Sequence, residues 1–329
     1  MKIIIDTLGS DLGYEELVKG SLMAMETKDI DLCFVGPEDE IKKIIENKKI
    51  DEKRIEYIDT KVYIQNDEDP ARSLRRKKDS STVLGLNRLN EDGYHGFVSA
   101  GSTGALLAGG LFITKRIDKI DRAVLGATLP NSHGGTVLVD TGANMDTKPD
   151  FLRQFAIMGS VYASRTMDKE KPKVYLLNVG EEEGKGDLRS KETFNLLKEN
   201  KHINFCGNIE ARDMLTGKAD VIVTDGFAGN IALKSLEGMA SLLSTELKEV
   251  VYGSFKTKLG GLLLKSSLKD VAKKYNYKEV GGAPLLGVKK PIFKAHGSSD
   301  SEAFMNAIYK CVDFAQSDII TEIEREIGE

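Results

Sequence analysis

The stretch Lys2-Ile3-Ile4-Ile5-Asp6-Thr7-Leu8-Gly9-Ser10-Asp11, followed by the helix-period segment Tyr14–Met25, sets the pattern for the whole chain. A short β-rich apolar run turns through a polar, glycine-bearing corner and then becomes amphipathic. The same order recurs at His95–Ala100, Gly101-Ser102-Thr103-Gly104 and Ala105–Lys115. It recurs at Thr136–Asp140 before Thr-Gly-Ala-Asn, and at Lys173–Val179 before Gly-Glu-Glu-Glu-Gly-Lys-Gly. Ala219–Thr224 leads in the same way into Asp-Gly-Phe-Ala-Gly-Asn and a long helix from about Ile231. Strands alternating with helices of this length predict βαβ units and a mainly parallel, doubly wound α/β sheet. The runs are β-branched with little polar alternation, as a sheet covered on both faces requires.

Past residue 230 the pattern becomes helical. Leu233, Leu236, Met239, Leu243, Leu247 and Val250 keep helical spacing, and a second helical stretch follows around Leu262–Tyr275. This predicts a long helix and a protruding helical hairpin over 230–276. The capping residues Ser298-Ser299-Asp300 predict the start of the last helix. No repeat or linker divides the chain. The expectation is one catalytic α/β unit over 1–329, shaped at most into two lobes around a cleft.

Composition narrows the function classes. The 329 residues carry a net charge of -4, against a globally basic nucleic-acid binder. Cys33, Cys206 and Cys311 are far apart, as reduced thiols in a cytosolic protein are. The amino terminus turns polar within six residues, which predicts no signal peptide, and no apolar run nears the roughly 20 residues of a membrane span. Neither GxxxxGK[ST] nor a strand-following GxGxxG is present, and no GxSxG stands at a strand-to-helix corner. His95, His133, His202 and His296 are not paired at metal-ligand spacing, so no metal site and no cofactor are expected.

Glycine corners at strand ends let backbone amides approach an anion. For a single corner a ligand-free tight turn is an equally good reading; several corners at one sheet edge favour an anion site. Lys185 sits in a glycine-rich loop and Asn230 at the start of the long helix. Alone they read as a solvated lysine and a helix cap; together, at the carboxyl ends of two strands, they form a candidate site. His296 precedes Gly-Ser-Ser at another corner.

These residues lie in blocks that resemble one family in order over nearly the whole chain. The blocks are Lys77–Ser81, Ser99–Ala105, Gly142–Pro149, Gln154–Gly159, Asn178–Gly186, Ala219–Phe227, Gly281–Val288 and Lys294–Ser299. The chain resembles the bacterial phosphate acyltransferases (the PlsX family), which convert acyl-[acyl carrier protein] to acyl phosphate. It departs from the family's usual opening at Asp6-Thr7-Leu8-Gly9-Ser10-Asp11, and Ser102 replaces the usual asparagine of Gly-Asn-Thr-Gly. The resemblance implies a fold like that of the isocitrate and isopropylmalate dehydrogenases, a homodimer, and inorganic phosphate and acyl carrier protein as partners. Lys185 and Asn230 take the catalytic roles it implies. Asp6, Gly9, Gly101, Ser102, Thr103, Gly104, Asn144, Asp225, Gly226, Gly229 and His296 form the expected phosphate- and substrate-binding set. The related alternatives are a coenzyme-A phosphotransacetylase and a two-lobe dehydrogenase-like enzyme.

The chemistry suits such residues. Phosphate is a ready nucleophile and a pantetheine thiol, with a pKa of roughly 8.5, a ready leaving group. What is needed is an anion holder and an oxyanion donor. Two surface features complete the expectation. Arg72, Arg75, Arg76, Lys77 and Lys78 form a basic run, of which Arg75 and Arg76 are candidates for carrier-protein contact; a solvated helix face is the competing reading. From Gly253 to Lys278 there are seven lysines and one acid, with Leu259, Leu262, Leu263 and Leu264 among them. Leucines interleaved with lysines suit peripheral contact with an anionic membrane, with a dimer contact as the competitor. The expected location is the cytoplasm, with peripheral contact at the inner face of the plasma membrane.

Overall fold

The computed structural model describes residues 1–46, 48, 50–275 and 281–328. Its strands are β1 (Lys2–Asp6), β2 (Asp31–Gly36), β3 (Ile55–Asp59), β4 (Tyr94–Ser99), β5 (Val124–Leu129), β6 (Thr136–Val139), β7 (Lys173–Leu177), β8 (Asn204–Ile209), β9 (Val221–Val223), β10 (Ala283–Leu286) and β11 (Ile292–Lys294). They form one sheet in the order β3-β2-β1-β4-β11-β10-β5-β6-β9-β7-β8. The helices are α1 (Tyr14–Thr27), α2 (Glu38–Ile45), α3 (Pro70–Arg76), α4 (Ser81–Leu89), α5 (Thr103–Gly109), α6 (Pro149–Met167), α7 (Leu188–Glu199), α8 (Gly226–Tyr252), α9 (Phe255–Tyr275), α10 (Ser301–Gln316) and α11 (Ile319–Gly328).

The β-branched runs form strands because both of their faces are covered. Ile3 and Ile5 of β1 join a core with α1 and α10, while Ile4 between them packs with Leu86 and Leu89 of α4. β6 repeats the arrangement, with Val137 and Val139 on the first face and Leu138 on the other. Each such side chain, fully buried, contributes roughly 1.5–3 kcal/mol. The sheet is mainly parallel, as expected, but its middle is not. β11–β10, β10–β5 and β5–β6 are all antiparallel, so three successive reversals separate two parallel wings that run in opposite directions. The glycine corners therefore do not share one sheet edge, which corrects the simplest reading of the pattern.

Two helix boundaries also differ from expectation. α8 begins at Gly226, capped by the Asp225 carboxylate, which accepts the Ala228 amide at 2.8 Å. Asn230 consequently lies in the second turn and does not open the helix. Asp300 does cap α10, accepting the Ala303 amide at 3.0 Å, but α11 follows, so α10 is not the last helix. In α8 Ala232, Leu233 and Leu236 pack against a core; Met239, Leu243, Leu247 and Val250 are exposed. α9 packs back on α8, and Leu259, Leu262, Leu263 and Leu264 are exposed around it. Residue 276, the expected end of the hairpin, lies outside the described residues. Among the described residues no helix is long and apolar enough to cross a membrane.

The packing of α1 against α10 joins the two ends of the chain, and Gly20 lies directly against the first turn of α10. A Cβ at Gly20 would collide with the Ser301 carbonyl oxygen. Gly20→Ala is expected to lower the unfolding free energy by about 1–3 kcal/mol through overpacking, outweighing a helix-propensity gain of up to about 1 kcal/mol. Urea denaturation measures this, and an unchanged midpoint would show that the two helices separate freely.

Candidate active site

A buried aspartate stands at the end of a strand in each wing, and each shapes one wall of a cleft. Asp6, at the end of β1, is fully buried and accepts the Leu8 amide (3.2 Å), the Ser99 hydroxyl (2.9 Å) and the Thr82 hydroxyl (3.1 Å). Burial pushes its pKa above the ordinary carboxylate value, against the pull of those hydrogen bonds. Ser99 in turn accepts the Gly101 amide at 3.0 Å. Gly9 (φ +80) lies so close that a Cβ there would come within 2.9 Å of the Gly101 Cα.

Asp140, directly after β6, is equally buried and accepts the amides of Gly142 (3.1 Å), Ala143 (3.0 Å) and Asn144 (2.7 Å), and the Asn144 side-chain amide (2.9 Å). Burial raises this carboxyl's pKa too. Asn144 passes the order on to α8, since its carbonyl accepts the Gly226 amide at 2.7 Å. Gly229 lets the first turn of α8 sit on the Asp140 carbonyl, where any Cβ would collide. Asn230 then reaches the cleft, its Nδ2 donating to the Thr141 carbonyl at 3.1 Å.

The cleft between these walls has a volume of about 520 Å³. Of the residues expected from the sequence, Gly101, Thr103, Gly104, Asn230 and His296 line it. Asp6, Gly9, Ser102, Asn144, Gly226 and Gly229 support its walls from behind. Ser102 is buried and caps α5, its hydroxyl accepting the Ala105 amide at 3.4 Å. Asp225 is occupied as the α8 cap and as the ion-pair partner of Arg189 at 2.5 Å. Lys185 does not line the cleft: its side chain is 52% exposed, and its Nζ lies 3.9 Å from the Glu182 carboxylate. The loop that carries it follows β7, in the wing opposite to Gly101.

Sequence reasoning missed the cleft's lysines. Lys294, the last residue of β11, donates to the Ala100 carbonyl at 3.1 Å and to that of Ala295. Burial lowers its pKa to about 8, Asp11 and Asp6 acting upwards and Lys234 downwards. Lys234, on α8, lies 3.4 Å from Nε2 of His296 and 2.7 Å from Glu237. His296 accepts the Ser298 amide on Nδ1 at 3.2 Å, and partial burial with Lys234 nearby holds its pKa below the ordinary value. The available signal for Lys294 was a single charge ending the apolar run Pro291-Ile292-Phe293, just before a glycine corner.

Outside the cleft, Arg75 and Arg76 are exposed at the end of α3, whereas Lys77 is engaged with Glu68 at 2.5 Å. That ammonium, helped by the Gln65 amide and Ser73, holds the Glu68 carboxyl down to about 2.

The comparisons with known proteins cover this whole arrangement. A family model described as a fatty acid synthesis protein matches residues 1–322. A phosphate acyltransferase of Thermoanaerobacterium thermosaccharolyticum is 45% identical over 327 residues, 99% of this chain and 97% of that protein. The phosphate acyltransferase of Clostridium tetani is 44% identical over 328 residues, 99% of this chain and 98% of that one. Among solved structures, a phosphotransacetylase from Staphylococcus aureus aligns with a TM-score of 0.61 at 16% identity, over 95% of this chain and 94% of that one. A 4-hydroxythreonine-4-phosphate dehydrogenase from Klebsiella pneumoniae aligns with a TM-score of 0.53 at 15% identity, over 96% and 99%. At such identities the structural likeness concerns the fold alone, which is dehydrogenase-like.

The close approach of Gly142 (φ +134) to Asn230 is open to a direct test, because a Cβ there would lie 2.7 Å from the Asn230 Nδ2. Gly142→Ala is expected to lower the unfolding free energy by about 1–3 kcal/mol, from backbone strain and a displaced amide. Gly184→Ala, with open space around it, should stay within about 0.5 kcal/mol of the parent. Equal urea midpoints for the two variants would mean that the Asn230 wall is not tightly held.

Proposed function

This chain belongs to the phosphate acyltransferase family, and from that premise we propose that it transfers a fatty acyl group from acyl-[acyl carrier protein] to inorganic phosphate, supplying acyl phosphate for phospholipid synthesis. The observation that supports this best is a single cleft in which the buried Lys294 on β11 faces a wall of α8 carrying the Asn230 amide and Lys234. An oxygen of hydrogen phosphate attacks the thioester carbonyl, the O–C bond forms and the C–S bond breaks. The electron pair leaves on sulfur, and the proton that phosphate carried ends on the thiol. In this reading the Asn230 amide donates to the oxyanion of the tetrahedral intermediate. Lys185 is the second proposed catalytic side chain, and its part depends on the 178–187 loop carrying it to the cleft.

The carrier protein has a plausible approach in this scheme. α3 starts at the cleft's rim, with Pro70 against Gly104, and ends in the exposed Arg75 and Arg76. A basic helix end there suits an acidic carrier by steering its encounter. The exposed apolar side of α8 suits a second copy of the chain, and the α9 leucines among lysines suit an anionic membrane, where each lysine near the surface adds about 1 kcal/mol.

Incubation with long-chain acyl-carrier protein should release thiol only when phosphate is present, with acyl phosphate detected by mass. Thioester loss without phosphate would remove this reading. Asn230→Ala and Lys185→Ala should each lose on the order of a hundredfold in rate, the usual loss for one oxyanion-hole donor. A near-parental rate in either would take that residue out of the chemistry.

Leu263→Glu tests the use of the hairpin. It should abolish cosedimentation with anionic vesicles and leave dimer mass and activity on soluble donor unchanged. If the variant instead dissociates to monomers, α9 is a subunit contact.

A further inference from the structure

We propose that Lys294 is the residue that holds the phosphate dianion in the cleft, and that Lys234 across from it tunes this anion subsite. The proposal rests on the acyl-transfer reading above and assigns its nucleophile a place.

Lys294 is unusually placed for a lysine. Lys294 closes β11 inside the sheet, paired with Ser99 of β4 on one side and Ala283 of β10 on the other. Strand interiors at such positions are otherwise apolar here, as Ile292 and Phe293 are. An ammonium there is costly unless it has partners. Its partners are two neutral carbonyls, those of Ala100 and Ala295. Among the described residues no carboxylate lies at ion-pairing distance. An ammonium has three N–H donors, so two carbonyls leave one for a ligand in the cleft that Lys294 lines.

The surroundings match an anion. Asp11, from the loop after β1, and Asp6 act on Lys294 as negative charges and Lys234 as a positive one, with His296 and Glu237 beside Lys234. Lys234 has a 52% exposed side chain and a neighbour-turn pair with Glu237. A neighbour-turn helix pair adds little, so Lys234, its exposed member, can turn toward a bound ligand while Glu237 stays largely covered. Lys294 is the fixed cation and Lys234 the movable one. The carbonyl that anchors Lys294 belongs to Ala100, directly before the Gly101–Gly104 corner, so the cation and that corner are tied together. On the opposite wall stands Asn230, placing nucleophile and oxyanion donor on either side of one thioester.

The sign of the pH effect follows. Above about 8 Lys294 loses its proton, so phosphate affinity falls as pH rises through that value. Removing the like charge of Lys234 raises the pKa of Lys294 and moves the fall to higher pH.

The experiment measures inorganic phosphate binding directly by ³¹P NMR, without acyl donor, alongside the steady-state KM for phosphate and for acyl-carrier protein across pH. Lys294→Gln should raise the phosphate KM by roughly tenfold or more, the value of a lost charge-assisted hydrogen bond, with the donor KM unchanged. Lys294→Arg should abolish the alkaline fall, and Lys234→Gln should shift it upward. Should Lys294→Gln not fold, the Lys234→Gln shift still decides, since a purely structural Lys294 would leave the alkaline limb where it was. Unchanged phosphate binding in Lys294→Gln, a rise in donor KM alone, or displacement of phosphate by 4′-phosphopantetheine at equal concentration overturns the assignment; the last two give the site to the carrier's arm. Phosphate bound by the parent protein through Lys294, with no acyl phosphate formed, would sink the acyl-transfer reading and leave the subsite standing.

Discussion

Two carboxylates that never meet solvent, Asp6 and Asp140, set the geometry on which the rest of the cleft depends. Burying a charge is expensive, and each is offset by a set of donors that no neutral side chain of the same shape could accept. Asp6 gathers the amide of its own loop and hydroxyls from α4 and β4. Asp140 gathers three successive loop amides, the Asn144 side chain and the Leu125 amide of the neighbouring strand at 3.3 Å. An asparagine at either place would turn N–H groups toward N–H groups. Because each carboxylate fixes a loop, each fixes a glycine contact, Gly9 on Gly101 and Gly142 on Asn230. The two walls are built by the same device, one in each wing.

That device explains what was legible in the sequence. The period of the apolar runs and the glycine corners identify strands, helices and the class of sheet, since covering both faces of β1 or β6 demands successive apolar residues, as at Ile3–Ile5 and Val137–Val139. The corners also marked Gly101, Thr103, Gly104, Asn230 and His296, which line the cleft. What could not be read was strand direction in the middle of the sheet. A run such as Ala283–Leu286 carries no local mark of being antiparallel to both neighbours, yet those reversals decide which corners share a cleft. Lys185 and Asn230 follow neighbouring strands of one wing, β7 and β9, yet only Asn230 meets Gly101 of the other wing in the cleft. Lys294 escaped notice for a related reason: its meaning comes from pairing with β4 and β10, which is not local.

The balance of charge in the cleft is likewise a product of the fold. Lys294 is held by carbonyls, Lys234 by Glu237, and Asp11 lines the same cleft. Apart from Lys234 and Glu237, one turn apart on α8, these residues are far from one another in sequence. Charges close in space but spread over β11, α8 and the loop after β1 remain mutually adjustable, because an exposed side chain such as Lys234 can turn while Lys294 stays fixed. A cleft that must admit an anion and release a different one, bearing an acyl chain, benefits from one fixed and one movable cation.

The same reasoning reaches α8 as a whole. Its 27 residues span about 40 Å at 1.5 Å each, and its two ends live in different environments. The first turn is locked: Asp225 caps it, Asn144 holds Gly226, and Gly229 rests on the Asp140 carbonyl. Two turns on, Leu233 and Leu236 are the last residues to pack against a core. Beyond them Met239, Leu243, Leu247 and Val250 face outward along the shaft toward α9. Asn230 and Lys234 lie at the junction between the locked base and the exposed shaft. Asp140 anchors that base from below, through its carbonyl under Gly229 and through Asn144 on Gly226, so the buried carboxylate that shapes one wall of the cleft also fixes where the long helix starts.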